Sequence, residues 1–91
     1  MKLKYYIRTN ELMKLGYKYD NNVRWWFNSE AQCAVCDSVI RCNYTQFKEG
    51  ILINTQLHNY TFFTFKKVNK DILDTIYKIH FNKGQLRLKG N

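Results

Sequence analysis

The chain has 91 residues, the size of one small domain with one modest core, and 45% of them are hydrophobic, with 7 Tyr, 6 Phe and 2 Trp. That aromatic content excludes an intrinsically disordered chain. With 15 Lys and Arg against 7 Asp and Glu, the formal net charge is +8, which excludes an acidic nucleic-acid mimic and favours an anionic partner: nucleic acid, a nucleoprotein, or an acidic protein face.

From the N-terminus, residues 2–8 (K-L-K-Y-Y-I-R) alternate β-formers with charge and predict a first strand. Thr9 or Asn10 then caps a short helix carrying Leu12, Met13 and Leu15, and Gly16 stands where glycine commonly stops a helix. Asp20-Asn21-Asn22 is a turn signal leading into the strand Val23-Arg24-Trp25-Trp26-Phe27. Ser29 and Gln32 have capping-box spacing, which predicts a single helical turn delivering the chain into Cys33.

Residues 37–48 and 51–58 flank Glu49-Gly50 and read as a β-hairpin; Asn59-Tyr60 makes a second turn, and residues 61–67 (T-F-F-T-F-K-K) a third consecutive strand. Asn69 caps the clearest helix, 70–81, where Ile72, Leu73, Ile76 and Ile79 or His80 recur at helical spacing. Asn82-Lys83-Gly84 ends it, and Leu86 and Leu88 alternate with polar residues in a short final strand. The predicted fold class is α+β: a small antiparallel β-sheet, a meander, with a short N-terminal helix and a longer C-terminal helix on one face. No linker or repeat interrupts the sequence, so residues 1–91 read as a single domain.

The only three cysteines, Cys33, Cys36 and Cys42, fall within the stretch C-A-V-C-D-S-V-I-R-C. A C-x2-C pair followed closely by a third thiol can place three sulfurs around one tetrahedral ion. Cys42 lies six positions after Cys36, and in an extended strand an even offset returns the side chain to the same face. Of the two histidines, His58 sits on the strand expected to pair with the cysteine-bearing one and is the preferred fourth ligand, with His80, Asp37 or a partner-chain group in reserve. The expectation is a structural zinc held by Cys33, Cys36, Cys42 and His58, stapling a domain with a small core. The competing reading makes the thiols small, partly buried hydrophobes. No nucleophile motif accompanies either histidine, and iron–sulfur motifs normally supply four cysteines.

Trp25-Trp26-Phe27 and Tyr60 to Phe65 could stack on single-stranded nucleic acid beside Arg24, Lys66 and Lys67. Neighbouring strand residues face opposite ways, so part of each run should be core, leaving one outward aromatic, Trp26 in the first run, as a partner contact. Residues 66–91 hold seven basic side chains against Asp71 and Asp74, a local net of 7 − 2 = +5. Lys66, Lys67, Lys70 and Lys78, with Arg24, are therefore the candidate partner-binding residues. Asp74 and Lys78 also have the i,i+4 spacing of an ordinary solvated helix face.

There is no apolar run of membrane-spanning length, and M-K-L-K-Y-Y-I-R-T-N-E-L-M-K lacks the apolar core of a secretory signal, so a cytoplasmic location is expected, where thiols stay reduced. The sequence has no proline and is rich in Lys, Asn, Ile and Tyr, a composition that AT-rich coding tends to give.

Residues 11–27, E-L-M-K-L-G-Y-K-Y-D-N-N-V-R-W-W-F, are similar to the helix, Gly-aromatic, Asp-turn, Trp-strand unit of HARP-type and related small DNA-associated modules. That resemblance implies a nucleoprotein setting and transfers no functional residue. By overall profile (small, basic, from AT-rich coding, with a zinc-like clip and no catalytic constellation) the chain resembles phage-encoded anti-CRISPR proteins that block type II effectors. The resemblance implies a non-enzymatic inhibitor that binds a Cas9-like nuclease and interferes with guide or target loading. It carries no interface residue across. The alternatives are a zinc-stabilised nucleic-acid-binding regulator of phage or plasmid type and, third, a thiol- or metal-dependent enzyme.

Overall fold

Trp25, Trp26 and Phe27 are consecutive strand residues, and all three are buried. Alternation sends neighbours to opposite faces, so this is possible only where both faces of the sheet are covered. A computed structural model of the chain describes residues 6–89, with side chains described through Asn82. In chain order the elements are α1 (Thr9–Lys14), β1 (Lys18–Asp20), β2 (Trp25–Asn28), β3 (Cys33–Cys36), α2 (Asp37–Arg41), α3 (Tyr44–Glu49), β4 (Ile53–Leu57), β5 (Tyr60–Thr64) and α4 (Lys70–Lys89). The class is α+β, with helices at both ends of the chain around a five-stranded sheet ordered β1-β2-β3-β5-β4.

The sheet is mixed and is not the expected meander. β3 and β5 pair in parallel, whereas β1·β2, β2·β3 and β4·β5 are antiparallel. The departure comes from residues 37–49, where the strand and hairpin expected around Glu49-Gly50 are replaced by two short helices. Asp37 and Arg41 form an i,i+4 ion pair on α2 with Nε to Oδ2 at 2.6 Å. At α3 the Asn43 side chain accepts from the Gln46 amide while Gln46 reaches back to the Asn43 amide, a complete capping box. The helices carry the chain away from β3, so β4 is laid down at the sheet edge and β5 returns between β3 and β4.

Each face has its own core. On one side Leu12 of α1, Val39 and Ile40 of α2, and Phe47 of α3 cover Tyr17, Trp26 and Val35, with Tyr19 and Phe63 packed alongside. On the other, Leu73, Ile76, Tyr77 and Phe81 of α4 cover Trp25, Phe27, Ala34, Tyr60 and Phe62. Helices therefore lie on both faces, not on one. A sheet so enclosed accepts apolar residues at every position of a central strand, as W-W-F does in β2.

One local feature follows the sequence and two depart from it. α1 stops where Gly16 takes φ +101°, a left-handed conformation that glycine adopts without a Cβ clash. β4 and β5 are joined by a two-residue turn at His58 and Asn59, both at positive φ (53° and 64°), whose twist matches a hairpin. The turn falls one residue earlier than Asn59-Tyr60, and Tyr60 is a buried strand residue. α4 does not end at Asn82-Lys83-Gly84 but continues to Lys89, so the segment 86–88 is helical and not a strand; a glycine weakens a helix by about 1 kcal/mol relative to alanine without ending it. Residues 2–5 of the first expected strand lie outside the described residues, and residues 6–8 form no strand.

Candidate functional site

β3 places Cys33 and Cys36 three positions apart on one strand, an odd offset that alternation assigns to opposite faces, although Cys36, at the strand end, touches the cores on both. Cys33 packs with the α1 side core, where its thiol donates to the Ala31 carbonyl at 3.5 Å beside the buried Tyr17 hydroxyl. Burial, reinforced by Cys33, pushes the Tyr17 hydroxyl pKa up. Cys36 N-caps α2 and accepts from the Ser38 hydroxyl at 3.3 Å. Cys42 is at the far end of α2, where its thiol donates to the Val39 carbonyl at 3.0 Å; burial pushes this thiol up.

The expected same-face relation between Cys36 and Cys42 fails because the intervening residues are helical, which puts the two ends of α2 about 9 Å apart along its axis. The helix therefore does not return Cys42 to the face of Cys36 as an extended strand would. His58 is not beside them either: its ring stacks on Tyr77 with centroids 4.4 Å apart, and Nε2 contacts the Asp74 carboxylate. His80 and Asp37, the reserve ligands, are engaged with Asp20 and with Trp26 and Arg41. Among the described residues no group of three or more His, Cys, Asp or Glu is gathered that could hold a metal ion. Every such residue of the sequence lies within them. Cys33, Cys36, Cys42 and His58 are thus not gathered around one point among the described residues, and a zinc staple finds no support in this arrangement.

The basic candidates are better placed. β2 begins at Trp25 and β5 ends at Thr64, and with β3 between them, antiparallel to one and parallel to the other, both points lie at the same end of the sheet. Arg24, just before β2, and Lys66 and Lys67, just after β5, project from that end, with Lys70 opening α4 next to them. β2 and β5 are two strand spacings apart, about 10 Å. All four side chains are exposed, and none makes an ion pair among the described residues. Lys78 differs: its Nζ lies 2.9 Å from Asp74, in the bland i,i+4 arrangement.

Trp26 is 3% exposed, and its indole N–H donates to Asp37 at 2.9 Å, so it is core and not an outward contact. Among the described residues the exposed large apolar ones are instead Met13, Leu15, Tyr44, Ile51, Ile72 and Ile79. Two constraints on α4 escaped the sequence reading: His58 to Asp74, and His80 to Asp20, the latter with the imidazole stacked on Phe27 at 3.8 Å between centroids. Pairing with His58 and with Lys78 holds the Asp74 carboxyl below the usual carboxylate range.

Among the described residues no helix is long and apolar enough to cross a membrane. Comparison with family models, with curated proteins and with solved structures finds no match to this chain.

Proposed function

We propose that this chain is a non-enzymatic binding protein that presents the basic end of its sheet to an anionic surface of a host nucleoprotein, acting as an inhibitor of guide or target loading by a Cas9-like nuclease. The observation that carries the reading is the cluster of Arg24, Lys66, Lys67 and Lys70 at one end of the sheet, exposed and without an ion pair among the described residues. Cationic side chains gathered in the segments that flank neighbouring strand ends suit a surface lined by phosphates or carboxylates. The net charge of +8 adds long-range attraction and fast, salt-sensitive association. The inhibitor form of the reading rests on the overall profile, and the choice of surface rests on the charge cluster.

Size-exclusion chromatography with a guide-loaded effector, run beside a mobility shift on naked DNA and RNA, tests it. The proposal expects co-elution with the effector at a fixed ratio and block of target cleavage. A salt-sensitive shift of naked nucleic acid without effector binding would instead make the chain a nucleic-acid-binding regulator.

A further inference from the structure

β4 is the last strand of the sheet, and among the described residues no strand lies beside its outer edge. The two-residue turn makes Leu57 and Tyr60 a hydrogen-bonded pair. Alternation along the ladder then turns the backbone groups of Ile53, Thr55 and Leu57 toward β5 and those of Asn54 and Gln56 outward. Asn54 and Gln56 are both exposed. Natural proteins blunt such an edge with proline, charge or a bulge, but I-N-T-Q-L has neither proline nor charge and its register with β5 is unbroken.

A mostly apolar groove of about 560 Å³ follows this edge. Ile53, Asn54 and Thr55 all touch it; since the middle side chain points away from the other two, a groove reached by all three runs along the strand edge and not over one face. Its opposite wall is the approach to α4, with Val68 apolar and Lys67 and Lys70 cationic. Both lysines are exposed and make no ion pair among the described residues.

We propose that the β4 edge docks an extended acidic segment of a protein partner, which adds as a further strand, seats small apolar side chains against Val68 and sets carboxylates on Lys67 and Lys70. The outward amides and carbonyls complete a ladder with polypeptide, which a nucleic acid cannot supply. The inference rests on the reading of the basic end as the partner contact, because Lys67 and Lys70 belong to both, and it specifies the chemistry of the segment that lies there.

A fluorescein-labelled octapeptide of alternating Val and Glu is the probe, followed by polarisation and by amide shifts of the labelled full-length chain. The expected result is saturable binding with the largest shifts at Asn54 and Gln56, lost when the peptide is N-methylated at alternate amides, a control that leaves the protein intact. Asn54→Pro or Gln56→Pro removes an outward donor without touching the β5 ladder and should abolish binding at an unchanged melting temperature. Lys67→Glu with Lys70→Glu should weaken it about tenfold. No binding, equal binding of the N-methylated peptide, or shifts confined to another face would overturn the edge inference. Those results leave the effector reading standing, which fails separately if charge reversal at the basic end does not change effector capture.

Discussion

His80 Nδ1 lies 2.6 Å from the Asp20 carboxylate, a contact across 60 positions of sequence that pins α4 to the edge strand β1. Asp20 is almost fully buried, and its other oxygen accepts from the Asn22 amide at 2.9 Å. Removing one partner of a buried pair leaves the other's desolvation uncompensated. Asp20 keeps its other contacts, however, so His80→Ala should cost about 2 kcal/mol in urea denaturation, the loss of one charge-assisted bond. The double substitution with Asp20→Asn should cost less than the sum of the two singles; strict additivity would show that the pair is not coupled.

Asp37 joins α2 to the core through the Trp26 indole at 2.9 Å and through Arg41 at 2.6 Å. Asp37→Ala strands a buried N–H and removes the ion pair, with an expected loss of about 2 kcal/mol. Arg41→Ala, at an exposed site, should cost well under half of that. Equal losses in the two variants would mean that the indole bond contributes little.

Asp74 should contribute to the acid limb of stability. Its pKa is lowered from 3.8 by the His58 bond and then by Lys78, so its contribution is fully present above the unfolded-state value and is lost as pH falls below about 3.8 through the folded value. Asp74→Asn should lower the melting temperature at pH 6 and flatten its decline between pH 4 and pH 2.5. An unchanged acid limb in the variant would assign that limb to other carboxylates.

The thiols are expected to act as packing groups. Treatment with a strong chelator should leave the melting temperature unchanged, and Cys33→Ala should cost on the order of 1 kcal/mol through lost packing. Stoichiometric zinc whose removal unfolds the protein would require a rearrangement of β3 and α2 from the geometry described above.

Where local chemistry decides the outcome, it was readable from residue type and spacing. The Gly16 stop and the start of α4 lie where their signals place them, while the aromatic strand begins two residues later than expected, at Trp25, because Val23 and Arg24 belong to the turn, and the helical turn expected from Ser29 to Gln32 is not formed. The segment 37–49 was misread because its short helices carry no long amphipathic pattern; the signals that mark them are Asp37 four residues before Arg41, and Asn43 three before Gln46. That one error moved Cys42 from a strand to a helix end and dissolved the metal geometry. It also hid the crossover that makes β3 and β5 parallel. The burial of both tryptophans was beyond local reading, because it depends on α4, more than 40 residues away, covering the second face. The basic end of the sheet was legible as charge but not as a place, since Arg24 meets Lys66 and Lys67 only through the strand order.

The decisive comparison is capture of a guide-loaded effector by the native chain and by the Lys66→Glu, Lys67→Glu, Lys70→Glu variant at matched melting temperature. Native capture should weaken with salt, and the variant should lose binding by at least about tenfold, with the salt slope reduced by close to three if the contacts are to phosphates. A folded variant that captures the effector as well as the native chain, at every salt concentration, would contradict the assignment of the basic end as the functional surface.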